Sequence, residues 1–178
     1  MLYNVGVGGE EWGNLGGLAA KTQVPDQPVG ISRMFLGRFT YTLDSKGRLT
    51  IPSRFRDGLP TEIVVTRGMD RCLVVYPIDV WKEISGKVTS LSITNPRARS
   101  LRRLLFADAI NLELDKQGRI LIPDRLREYA GLELSSDVLV IGLDSFIELW
   151  DTERWQAQNE TQMEVLEDDP AIWESLQI

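Results

Sequence analysis

The chain is 178 residues long, 43% apolar, and carries a formal net charge of −6, which suits one globular domain or two small, intimate ones. No stretch approaches the run of ~18 apolar residues that a membrane-crossing helix needs. There is no histidine and a single cysteine, Cys72; an internal disulfide, a Cys/His zinc cluster and an imidazole-activated nucleophile are excluded, and a reducing compartment is the simplest expectation.

Residues 1–33 hold seven glycines, lack a basic start and have no continuous apolar core. They read as a flexible extension rather than a secretory signal, with Met34 as the expected functional start. Phe39 to Leu43 is aromatic and β-branched, which suits a strand. Asp44-Ser45-Lys46-Gly47 is a turn, Asp44 bonding the backbone ahead of it and Gly47 supplying positive φ. Arg48 to Ile51 continues as a second strand, placing Arg48 at a hairpin tip. Pro52 and Ser53 start a short helix that ends by Gly58. Ile63 to Thr66 and Leu73 to Tyr76 form a hairpin, and a helix follows from Pro77 with Trp81, Ile84, Val88 and Leu91 on one face.

Asn95 caps, and Pro96 opens, a basic amphipathic helix with Ala98, Leu101, Leu105 and Ala109 down one side. Its Arg97, Arg99, Arg102 and Arg103 are expected to meet either phosphates or the acidic C-terminal region of a neighbour. The first pattern then returns: a strand to Leu114, a turn from Asp115 to Gly118, a strand from Arg119 to Ile122, and a helix from Pro123. A hairpin spans Val138 to Trp150, Asp151 caps a helix from Thr152, and an acidic tail lies beyond Thr161.

The return is nearly literal. LDSKGRLTIPSRFRD at 43–57 recurs as LDKQGRILIPDRLRE at 114–128, 71 positions on, and RGMD at 67–70 recurs as IGLD at 141–144 after a three-residue insertion. A match this ordered marks two homologous units. One ββαββ unit is too small to close its own core and leaves pairable edges. The expected fold is therefore α+β, two tandem units interleaved into a pseudo-twofold barrel with flanking helices. The expected organisation is an extension over 1–33, a first repeat over 34–93, a basic connecting helix over 94–110, a second repeat over 111–160 and an acidic tail over 161–178.

The negative total hides an uneven distribution. From Asp144 onward there are ten acidic residues and one basic, whereas residues 33–56 hold Arg33, Arg38, Lys46, Arg48, Arg54 and Arg56 against Asp44 alone. Binding responds to the local field over a Debye length of ~10 Å, so the net charge does not exclude a nucleic-acid partner.

With these residues the chain resembles the MraZ family, within the AbrB-like swapped-hairpin superfamily. The resemblance runs from Met34 to about Gln158 and rests on MFLGRF, on two D-x-x-x-R signatures (Asp44 to Arg48, Asp115 to Arg119) and on the VVYP and IELW strands. It implies a bacterial regulator, cytoplasmic or nucleoid-associated, that binds short direct repeats of double-stranded DNA at the promoter of the division and cell-wall gene cluster, as a ring of many subunits. The family's DNA-contacting arginine falls on Arg48 and its counterpart on Arg119. Gln117 stands where the first turn has Lys46, so the two turns are not equivalent.

Two readings of Arg48 are open: it reads guanine bidentately, or it merely pairs with Asp44 and fixes the turn. Asp44 and Asp115, with Gly47 and Gly118, are expected to support the turns rather than touch DNA. Lys46, Arg38, Arg54 and Arg56 are candidates for phosphate contacts. No phosphate loop, dinucleotide fingerprint or catalytic constellation appears, and no cofactor, metal, membrane or small-molecule substrate is expected. The competing readings are a ring-forming scaffold and a nonspecific or single-strand binder, the last allowed weakly by Phe35, Phe39 and Tyr41.

Overall fold

A computed structural model describes residues 34–168. The expected extension over 1–33 and the end of the acidic tail, 169–178, lie outside the described residues. The first copy contributes β1 (Phe35–Thr42), β2 (Arg48–Thr50), α1 (Ser53–Arg56), β3 (Glu62–Arg67), β4 (Leu73–Pro77) and α2 (Ile78–Ser90). After α3 (Pro96–Phe106) the second copy supplies β5 (Ile110–Glu113), β6 (Arg119–Leu121), α4 (Asp124–Ala130), β7 (Asp137–Asp144), β8 (Phe146–Asp151) and α5 (Thr152–Asp168).

The strands assemble as a six-stranded antiparallel sheet in the order β1-β7-β8-β4-β3-β5, with β2 and β6 paired in a separate ribbon. The order is a palindrome of the two copies. Each copy keeps its own hairpin, the hairpins meet at β4 and β8, and each copy lends its first strand to the other's outer edge. Phe35 to Thr42 pair with Asp144 to Asp137, and Glu62 to Val65 pair with Glu113 to Ile110. The exchange gives each hairpin an outer neighbour that the copy's own short chain does not provide.

Two expectations change. The ladder is not a closed barrel, because the sheet ends at β1 and β5 and the ribbon stands apart from it. Nor do β1 and β2 form a hairpin. Their partners are β7 and β6, so the turn from Asp44 to Gly47 is a corner between two sheets. Pro52 and Pro123 follow β2 and β6 and, lacking an N–H, stop the ribbon at three residues a side.

Strand alternation divides the apolar residues between two layers. Val138, Val140, Ile147, Leu149, Leu73, Val75, Ile63 and Val65 point to the ribbon side, where they enclose Leu49, Ile51, Phe55, Ile120, Ile122 and Leu126. Phe35 and Phe39 meet Phe55 edge-on at 5.6 and 5.2 Å. The opposite face, with Val74, Tyr76, Leu139, Ile141 and Trp150, is covered by Trp81 and Ile84 of α2 and by Trp155 of α5.

α2 stops one residue short of the predicted face. Leu91 lies outside the helix in extended conformation and is exposed. Arg102 of α3 donates to the carbonyls of Thr89 and Leu91, both at 2.7 Å, and so satisfies acceptors that the helix end leaves open. Arg99 likewise donates to the carbonyls of Ile93 and Thr94. Two of the four arginines expected to meet phosphate or acidic tail are thus spent on their own backbone. α3 begins as expected, with Asn95 accepting from the Arg97 N–H at 2.9 Å.

An anion anchors the start of the second copy. Asp108, whose side chain is 6% exposed, bridges Arg67 Nη2 at 2.6 Å and Arg125 Nη2 at 2.9 Å. Asp108→Ala leaves the half-buried Arg67 without its counter-ion, and removing one partner of such a pair costs more than the pair contributes. A loss of about 3 kcal/mol in urea denaturation is expected, with Arg125→Ala far milder because that guanidinium is exposed.

Candidate nucleic-acid interface

The interface is built on the ribbon. Arg48 faces Leu121, Leu49 faces Ile120, and Thr50 faces Arg119. Directly opposed residues share a face, and alternate residues along a strand change face. Leu49 and Ile120 are fully buried, so Arg48, Thr50, Arg119 and Leu121 all point outward. The structure brings the two signature arginines, 71 residues apart in sequence, onto one surface three residues long.

Each arginine is held by its own aspartate. Asp44 Oδ1 accepts the backbone N–H groups of Lys46 at 2.8 Å and Arg48 at 2.9 Å, while Oδ2 accepts Arg48 Nε at 2.6 Å. Asp115 repeats this with Gln117 at 2.8 Å and Arg119 at 3.0 Å, and takes Arg119 Nε at 2.8 Å and Nη2 at 2.6 Å. A four-residue spacing is what this needs: Asp closes the turn with one oxygen and aims the guanidinium with the other. Arg48 commits only Nε, leaving Nη1 and Nη2 without a partner among the described residues. Arg119 commits Nη2 as well.

The turns also lock each other. Gly47 and Gly118 adopt φ of 77° and 73°, and each carbonyl accepts an N–H from the other copy, from Ile122 and Ile51, both at 2.9 Å. A β-carbon at Gly118 would fall 2.4 Å from Arg56 Cδ, and one at Gly47 would fall 3.2 Å from Arg127 Nε. Arg56 and Arg127, again 71 apart, each lie across the other copy's turn.

These hydrogen bonds set the acid chemistry. The Arg48 backbone N–H, foremost, with the Arg48 guanidinium and the Lys46 N–H, lowers Asp44 from 3.8 to about 2. The Arg119 side chain, foremost, lowers Asp115 equally, to about 2. A folded value below the unfolded one means stabilisation that is complete above about pH 4 and lost as pH falls through 2. Carboxyl chemical shifts should titrate near pH 2 at both positions. Arg48→Ala should raise the Asp44 midpoint only part of the way toward 3.8, because the Arg48 backbone N–H stays, and Arg119→Ala should raise Asp115 further, because there the side chain is the foremost cause.

The other sequence candidates divide. Lys46 is exposed at the turn, and Arg54 and Arg56 are exposed on α1 beside the ribbon's turns. Arg38 is not brought to this surface. It pairs with Ile141 on the opposite sheet face and lines a hollow with Trp155 and Glu160 of α5. Phe35 and Phe39 are core or part-buried rather than available for base stacking. Sequence reasoning passed over Thr50 and Leu121 on the ribbon, and Arg127; the 71-residue offset itself would have found the last, since it projects Arg56 onto Arg127.

The arrangement defines a class: a duplicated, strand-exchanged α+β protein that presents two aspartate-aimed arginines on one ribbon. Comparison with known proteins gives the family. The model of the family described as "MraZ protein, putative antitoxin-like" matches twice in tandem, over residues 34–104 and 105–171. The chain is 54% identical over 127 residues to the transcriptional regulator MraZ of Thermomicrobium roseum, covering 71% of this chain and 88% of that protein. It is 53% identical over 123 residues to that of Herpetosiphon aurantiacus, covering 69% and 85%. With that of Halothermothrix orenii it shares 46% over 145 residues, covering 82% of this chain and all of the relative. The chain belongs to the MraZ family.

Proposed function

We propose that the protein is a sequence-specific regulator of transcription that binds double-stranded promoter DNA through Arg48 and Arg119. The observation that carries this reading is the ribbon: two guanidiniums, each aimed by a carboxylate that also closes its turn, stand on one outward face. A rigid basic ribbon of this width fits the major groove, where Arg can donate bidentately to guanine O6 and N7. Lys46, Arg54 and Arg56 supply phosphate contacts, which add affinity and salt dependence without reading sequence. The relatives' printed names, all of transcriptional regulators, support the same reading.

The finer proposal is repression of the division and cell-wall gene cluster by a cytoplasmic, nucleoid-associated homo-oligomeric ring on short direct repeats, the strand exchange serving as its swapped-hairpin scaffold. One ribbon offers few base contacts, so tandem repeats and a ring gain by effective concentration. No helix among the described residues is long and apolar enough to cross a membrane. Gel-shift titration against tandem-repeat promoter DNA and a scrambled duplex tests the reading. Preferential binding of the repeat is expected. Equal binding of both duplexes overturns it in favour of a nonspecific binder, and binding of neither favours a scaffold.

A further inference from the structure

The two halves of the ribbon match in their arginines and differ in what stands opposite them. Arg48 faces Leu121, and Arg119 faces Thr50. The 71-residue offset makes Leu121 and Thr50 counterparts, so the pseudo-twofold axis relates an exposed aliphatic side chain to a hydroxyl. Leu121 is 55% exposed on a face otherwise made of two arginines and a threonine. Single exposed leucines are common on protein surfaces. This one lies within about 5 Å, Cβ to Cβ, of the arginine proposed to read guanine.

We propose that Leu121 is a specificity-determining residue that packs on the C5-methyl group of a thymine neighbouring the guanine read by Arg48. The proposal rests on the DNA reading above. The thymine methyl is the apolar feature of the major-groove edge, and an aliphatic side chain discriminates it from the polar edges of the other bases. A cross-strand spacing of about 5 Å compares with a rise of about 3.4 Å per base along one strand, so the two side chains meet adjacent steps. Thr50, opposite Arg119, brings a hydroxyl that can bond either kind of base edge.

A consequence is polarity. A protein with two equivalent halves reads a palindrome, because the symmetry of the site mirrors that of the reader. Direct repeats have a direction, and reading them needs halves that differ. The Leu121 and Thr50 difference, joined by Lys46 against Gln117 on the turns, supplies it in the two places where the ribbon meets bases and backbone.

The test replaces each thymine of the bound repeat, one at a time, by deoxyuridine, which removes only the methyl. Wild-type protein should bind about four-fold more weakly at one thymine position per repeat, the equivalent of one buried methyl at ~0.8 kcal/mol. Leu121→Ala should bind the thymine and deoxyuridine duplexes alike. Leu121→Ser, which carries no methyl group, serves as the second variant should the alanine form fold poorly. A wild type indifferent to every deoxyuridine, or a Leu121 variant that keeps the sensitivity, overturns the inference alone. A wild type with no preference for the repeat over the scrambled duplex overturns it together with the DNA reading.

Discussion

Gly142→Ala should destabilise the protein by about 3 kcal/mol and release β1 from the sheet, whereas Gly86→Ala in α2 should stabilise it by about 0.5–1 kcal/mol. A β-carbon at Gly142 would sit 2.5 Å from both the carbonyl carbon and oxygen of Phe35 and 2.8 Å from the Leu36 nitrogen. Those are backbone atoms of the strand donated by the other copy, and Gly142 pairs with Gly37, so no rotamer change relieves the overlap. The ladder must open. At Gly86 a β-carbon meets nothing within 4 Å, and the substitution removes only the entropy cost of a helical glycine. Urea denaturation gives the free energies, and amide exchange should show Phe39 to Thr42 losing protection in Gly142→Ala. Wild-type stability with a protected β1 would mean that the close strand exchange is not what holds the two copies together.

That exchange shows where sequence reading stops. The duplication, the hairpins of β3–β4 and β7–β8, the Asn95 cap and the Asp–Arg turns were legible because each rests on neighbours in sequence or on the 71-residue repeat. Interleaving could be inferred from the small core of one unit. Which strand crosses over could not, because β1 and β5 carry no local mark of their partner; only the register of Phe35 against Asp144 settles it. The wrong hairpin had the same origin. A strand, a tight turn and a second strand look alike whether the turn doubles the chain back or carries it into another layer, and the choice depends on long-range bonds such as Ile122 N–H to the Gly47 carbonyl. For the candidate site, the Asp–Arg spacing marked the two turns, while the expectation of DNA contact at Arg48 and Arg119 came from the family resemblance. Arg38 and Leu121 lie where only facing decides: one residue's step along a strand turns the side chain to the other side, so the sequence alone does not say that Arg38 lies away from the ribbon or that Leu121 lies on its outer face.

The largest functional effect should come from Arg48, and the conservative variant is the informative one. Arg48→Lys keeps the charge, so binding to a scrambled duplex and its salt dependence should stay near wild type. It loses the planar fork, and with it the bidentate bond to guanine, so repeat DNA should bind ~10-fold or more weakly at each half-site, about 1–3 kcal/mol. Arg48→Ala should do the same to the repeat and also lower the salt slope by about one counter-ion. Lys46→Ala, by contrast, should weaken repeat and scrambled duplexes together, since a phosphate contact carries no sequence information. Arg119→Lys should cost less than Arg48→Lys. Arg119 places both Nε and Nη2 on Asp115, whereas Arg48 gives its aspartate Nε alone and leaves both terminal nitrogens without a partner among the described residues. Anisotropy titrations of the four variants on both duplexes, across a salt series, separate these outcomes. If Arg48→Lys discriminates repeat from scrambled DNA as well as wild type does, the guanidinium serves only to brace its turn, and the bases are read by something other than its fork.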